Sequence, residues 1–160
     1  GWLQSRLSQS SALMLRVSMM SGQEVACIPV AELAAADCQV ATLKRRLNVV
    51  HGLPSRFMQK LYLRGEPGKP LDETAQVDSP MDIELVVVPY LTASETQANE
   101  LLAAAKYGST SEVEAILHRP QHPDGSDEIG RSPLHHASHR GDVAIVRLLL
   151  EAGADKNLAS

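Results

Sequence analysis

The segment "DEIGRSPLHHASHRGDVAIVRLLLEAGADKN", residues 127–157, constrains this chain more than any other stretch. Pro133 suits the first turn of a helix, where a missing N–H costs nothing. Gly141 then stops a short helix. Val143, Val146, Leu149 and Leu150 recur at helical spacing and are expected to form the apolar face of a second helix, which Gly153 ends. Two short helices joined by a glycine turn form a unit that needs neighbours to bury its faces.

The same segment carries Asp127, Gly130, Ser132-Pro133-Leu134-His135, Ala137, Gly141, Leu148 to Leu150, Gly153-Ala154-Asp155 and Asn157 without a gap. In this it resembles the ankyrin repeat, whose signature is a turn, Thr-Pro-Leu-His and two helices. An offset of 33 residues uncovers a degenerate earlier copy, with Leu134 on Leu101, Ala137 on Ala104, Gly141 on Gly108, Leu149 on Ile116 and Leu150 on Leu117. That first copy lacks the Pro-Leu-His signature, as suits an N-terminal cap. The closing "KNLAS" reads as the opening turn of a third repeat, and further repeats are expected in the natural protein.

The first half has a different grammar. Leu13, Leu15, Val17 and Met19 alternate with more polar residues, Ser21-Gly22 marks a turn, and Val25 and Cys27 resume the alternation. A β-hairpin is expected. In "DCQVATLKRRLNVVHGLP" the stripe Val40, Leu43, Leu47 and Val50 predicts a helix, capped by Asp37 and ended by Gly52, with Lys44, Arg45 and Arg46 on its solvated side. Strands follow at Gln59–Leu63 and over residues 83–88, separated by a segment rich in Gly and Pro.

This order resembles the ubiquitin-like fold. "TLKRRLNVVHGLP" is similar to ubiquitin's central helix and its exit, and "QKLYLRGEPGKPLDE" to its third strand and glycine turn. The fold class read from the sequence is therefore α+β, a ubiquitin-like β-grasp domain plus all-α ankyrin-type helical hairpins. The expected organisation is a flexible leader at 1–12, the β-grasp domain at 13–89, a linker at 90–94 and the repeat region at 95–160. Covalent modifiers of that family end in Gly-Gly, whereas "VVVPYLTASE" runs on into more protein, which implies an integral, non-conjugated domain. The family's apolar docking patch maps here onto Met20, Tyr62 and Val86, where Tyr62 replaces an aliphatic residue and Glu84 adds charge.

Composition narrows the function. A net charge of −4 gives no reason to expect nucleic acid as partner, and no apolar run approaches the ~20 residues that span a bilayer. Cys27 and Cys38 lie outside any CxxC pattern, so a reducing cytoplasmic or nuclear setting fits best. With only 3% aromatic residues, aliphatic side chains and alanine must do the packing. No nucleophile elbow or phosphate-cradling loop occurs, so neither catalysis nor a cofactor is expected. Three histidines in "LHHASH" raise the question of a metal, but a HExxH glutamate is missing and none is expected.

In the ankyrin register His135 is the signature histidine, whose ring is expected to satisfy neighbouring loop and backbone groups. His136, His139 and Arg140 align with positions that vary between repeats and tend to face the concave groove. Glu128, Ile129 and Arg131 align with the projecting turn, and Lys106 and Tyr107 belong to the earlier repeat. The resemblances imply a monomeric, non-catalytic adaptor that binds protein partners. The alternative is a component of the ubiquitin pathway, its first domain docking on proteasome, ligase or deubiquitinase and any catalytic part lying outside this chain.

Overall fold

The computed structural model describes residues 13–34, 37–66, 68–77 and 79–158, so the leader expected at 1–12 lies outside the described residues. Contacts divide the chain into two units, Gly1–Val87 and Val88–Ser160. Among the described residues the architecture is α+β: a mixed four-stranded sheet, six helices and one 3₁₀ turn.

In the first unit, β1 (Met14–Met19) and β2 (Glu24–Pro29) form an antiparallel hairpin around Gly22, whose φ of 86° suits a residue without Cβ. The buried residues of β2 are Ala26 and Ile28, and Cys27 is exposed, which reverses the phase expected from the sequence. The cause is a register shift between Val17 and Ser18. Val17 faces Ala26 but Ser18 faces Glu24, so one residue is added and an alternation counted through the turn slips by one.

A five-residue helix, α1 (Val30–Ala34), precedes α2 (Val40–His51). Val40, Leu43 and Leu47 are buried against Leu15, Val17, Leu61, Ile83 and Leu85 of the sheet. Gly52, at φ 66°, ends α2 by donating to the carbonyls of Asn48 and Leu47. Three expectations for this helix need correction. The N-cap is Gln39 rather than Asp37, and no side chain caps it, because the carbonyls of Ala75 and Glu73 accept from the N–H groups of Val40 and Ala41. Val50 is exposed together with Val49 and His51, so the last turn projects past the core. Lys44 is not on a solvated face: it is 3% exposed, and its ammonium pairs with Glu73.

Glu73 also accepts from Arg56 Nη1 at 3.2 Å, and the buried Arg56 guanidinium lies 4.2 Å from the Phe57 ring centroid. Burial of the ammonium lowers the Lys44 pKa, against the opposing pull of Glu73. Beside them Gln59 Nε2 donates to the carbonyls of Lys44 and Pro54, tying the helix and its exit to the next strand. The 3₁₀ turn Arg56–Met58 leads into β3 (Gln59–Leu63), and β4 (Asp82–Val87) closes the sheet. The order is β2-β1-β4-β3, with β1 and β4 parallel and the other pairs antiparallel. A parallel pair requires a crossover, and α2 lies within it. This layout is compatible with a β-grasp fold.

The second unit is two helical hairpins. Helices α3 (Glu95–Tyr107) and α4 (Thr110–Leu117) make the first, α5 (Pro133–Arg140) and α6 (Val143–Glu151) the second. Ser94 and Gln97 form a reciprocal capping box on α3, Ser132 caps α5 with Pro133 next to it, and Asp142 caps α6. Gly108 and Gly141 terminate α3 and α5 in the left-handed region at φ 79° and 72°, as their alignment at equivalent positions requires.

Packing runs α3 against α5 and α4 against α6. Ala104, Ala105, Ala137 and Ala152 are all nearly inaccessible, which lets the helices approach closely and explains how a chain poor in aromatics packs. The buried line of α6 is Ile145, Leu149 and then Ala152, while Val143 and Leu150 are 60% and 44% exposed. The expected stripe was therefore rotated. The burying surfaces are α4 and α5, and Ile145 and Leu149 are the positions that meet them.

Candidate functional site

The projecting turn of the second hairpin is organised by one carboxylate. Asp127 accepts from the backbone N–H groups of Arg131 at 2.8 Å and Ile129 at 3.0 Å, while its own N–H donates to the Arg131 carbonyl. Gly130, at φ 81°, closes the loop. An aspartate that bonds the chain two residues ahead is an Asx turn, which favours residues such as Asp at its start. The tip carries Glu128 and Ile129 outward, the latter 70% exposed.

The second oxygen of Asp127 lies 3.0 Å from His136 Nε2, joining the turn to α5. The N–H of Arg131 contributes most to holding the Asp127 carboxyl below its ordinary range, and His136 and the N–H of Ile129 act in the same direction. Here the expectation for the histidines is corrected. The His135 ring does not satisfy the loop; that role belongs to His136, which is the half-buried one, whereas His135 is exposed. His135 contributes through its backbone, whose N–H donates to Ser132 Oγ at 3.3 Å.

Arg131, His135, His136 and His139 together line a cleft of about 200 Å³. Arg140, one residue beyond His139, lays its guanidinium over the end of α3. A Cβ built on Gly108 would stand 2.7 Å from Arg140 Nη2. Lys106 and Tyr107 immediately precede that glycine, both exposed, Tyr107 by 75%. Arg140 thus connects the second hairpin's helix end to the first hairpin's, at the carbonyl-rich C-terminus where a cation is favoured.

The remaining candidates lie on the first unit. Met20 is 71% exposed in the hairpin turn. Tyr62 pairs in register with Glu84, and Val86 with Lys60, on the sheet face opposite the buried Leu61 and Leu85.

Sequence reasoning missed the Asp127–His136 contact and the part played by Tyr90. Tyr90, in the segment expected as a linker, donates its hydroxyl to the Ala152 carbonyl at 2.7 Å and meets the His122 ring edge-on at 5.9 Å. The adjacent Leu91 N–H donates to the Pro120 carbonyl, and Leu91 forms a bridge with Gln121. Asp124 reaches from the first exit loop to the second, accepting from the N–H of Asp155 at 3.0 Å. Among the described residues no group of three or more His, Cys, Asp or Glu side chains could hold a metal ion, and no helix is long and apolar enough to cross a membrane.

Capped helix pairs, left-handed glycines at matching positions and side-chain links from one exit loop to the next are the geometry of a stacked helical repeat. A family model described as ankyrin repeats, in three copies, matches residues 84–160. Residues 84–160 carry ankyrin repeats. The match begins inside β4, although the strand's pairing assigns residues through Val87 to the sheet. The chain is also similar to oxysterol-binding protein-related protein 1 of Homo sapiens, Rattus norvegicus and Mus musculus. Each is 48% identical over 60 residues, covering 36% of this chain. The chain spans about 6% of the length of these curated relatives.

Proposed function

We propose that the chain is a non-catalytic protein–protein interaction module, an adaptor that holds its partner on the exposed side of the ankyrin repeats. The observation that carries this reading is the spread of exposed side chains along both hairpins. Tyr107 and Ile129 present large apolar groups to solvent, and Lys106, Arg131, His139 and Arg140 are exposed as well. Rigid aromatic and apolar anchors ringed by polar groups are the usual composition of an interface centre. In this reading residues 13–89 are an integral ubiquitin-like domain, 90–94 connect it, and 95–160 form the repeat region, in a cytoplasmic or nuclear setting.

The test is affinity capture by the full chain beside a Tyr107→Ala/Ile129→Ala double variant. The expected result is a defined partner retained by the native chain and held at least about tenfold more weakly by the variant, whose thermal unfolding is unchanged. Equal capture by both proteins would sink the reading.

A second reading, a ubiquitin-pathway component, is favoured by the placement of Tyr62 and Val86 on the outward sheet face and by the exposure of Met20. Against it, Glu84 sits opposite Tyr62 and puts a carboxylate into the patch. Resonances of Met20, Tyr62 and Val86 that shift on addition of a ubiquitin-receptor domain would favour this second reading over the first.

A further inference from the structure

We propose that the cleft formed by Arg131, His135, His136 and His139 is an oxyanion site, which takes one carboxylate or phosphate group from a segment of the protein partner. The proposal rests on the adaptor reading and names the chemistry the adaptor recognises. Its first support is the lining. Every side chain around the cleft is a guanidinium or an imidazole, so it offers N–H groups in quantity and no carboxylate of its own.

The second support is how the one nearby carboxylate is used. Asp127 accepts from the N–H groups of Arg131 and Ile129 and from His136, so its oxygens are engaged in holding the turn and His136. The side chains of Arg131, His135 and His139, by contrast, have no partner among the described residues. Three donor-bearing groups left uncommitted around one concavity match an acceptor-only group. Glu128 is the neighbouring exposed acid; it projects from the tip of the turn and does not line the cleft.

Size sharpens the assignment. A cleft of about 200 Å³ lies below the ~300–1,000 Å³ of pockets that enclose whole small molecules. Such a site reads a single acidic side chain, with the rest of the partner lying outside it. Arginine's planar fork suits two oxygens at once, so Arg131 is assigned as the anchor and His139 as the second donor.

The experiment is an NMR titration of the full chain with three probes: a polyglutamate peptide, a phosphoserine peptide of neutral flanks, and polylysine as control. The expected result is saturable shifts confined to Arg131, His135, His136 and His139 with one or both acidic probes. Affinity should fall as salt rises from about 50 to about 300 mM. The Arg131→Ala/His139→Ala variant should bind at least about tenfold more weakly with unchanged thermal unfolding, since both side chains are exposed. Preference for the phosphoserine probe would assign a modified partner, and preference for polyglutamate an unmodified acidic one. Shifts with neither acidic probe, or equal shifts with polylysine, would overturn the proposal. Capture of a partner that the acidic probes fail to displace would also overturn it while leaving the adaptor reading in place. Site-confined binding of the acidic probes without any captured partner would uphold the oxyanion site and remove the adaptor reading instead.

Discussion

Asp127 concentrates more of the second hairpin's organisation than any other single residue, since its two oxygens reach the backbone at Ile129 and Arg131 and the ring of His136. Its carboxyl is held below the ordinary range, first by the N–H of Arg131. The folded-state pKa is therefore below the unfolded one. Stability from this group is fully present above the unfolded value of about 3.9 and is lost as pH falls through the folded value. An Asp127→Asn variant is expected to melt below the native chain at pH 7, and the two melting temperatures should converge toward pH 3. Circular dichroism melts at both pH values check this; a gap that stays constant with pH would assign the loss to geometry alone. The Asx turn was legible in principle, because Asp at 127 precedes a Gly-containing tetrad. Which of two adjacent histidines turns toward it was not, since that depends on how α5 lies against the turn.

At the scale of elements, the repeat is closed by short links between loops and helix ends. Tyr90 is the longest of these, bonding the carbonyl of Ala152 as α6 ends. Tyr90→Phe keeps the ring and its contact with His122 but removes the donor. The expected loss is about 1 kcal/mol, roughly 5 °C for a unit of this size, read by calorimetry on the full chain. An unchanged melt would mean that water replaces the hydroxyl without penalty. Helix boundaries in this unit were legible because their determinants are local. Ser132 with Pro133, and the glycines at 108 and 141, act within a turn of the helix they bound. The faces were less so. Periodicity alone favoured Val143, Val146, Leu149 and Leu150, yet burial selects Ile145 and Leu149, because α4 and α5 approach α6 from one particular side.

Across the whole molecule, the two units are built on different principles. The first relies on strands distant in sequence, with β1 paired to β4, and buries a cluster running from Leu15 to Leu85. The second consists of neighbouring helices that pack within each hairpin and against the next hairpin along the chain. Each has its own core, so two unfolding transitions are expected by calorimetry, with the Tyr90→Phe shift confined to one of them. A single transition displaced as a whole by that variant would contradict this. The amino-acid sequence by itself determined the helical hairpins, their glycine stops, the α+β class and the presence of ankyrin repeats, since these rest on caps, turns and periodicities that act within a few residues. Tertiary structure alone decided the phase of β2, the burial of Lys44 beside Glu73 and the choice of His136 over His135. Each of those depends on a residue supplied from elsewhere in the chain, and burial is a property of the pair that meets rather than of either partner's local sequence.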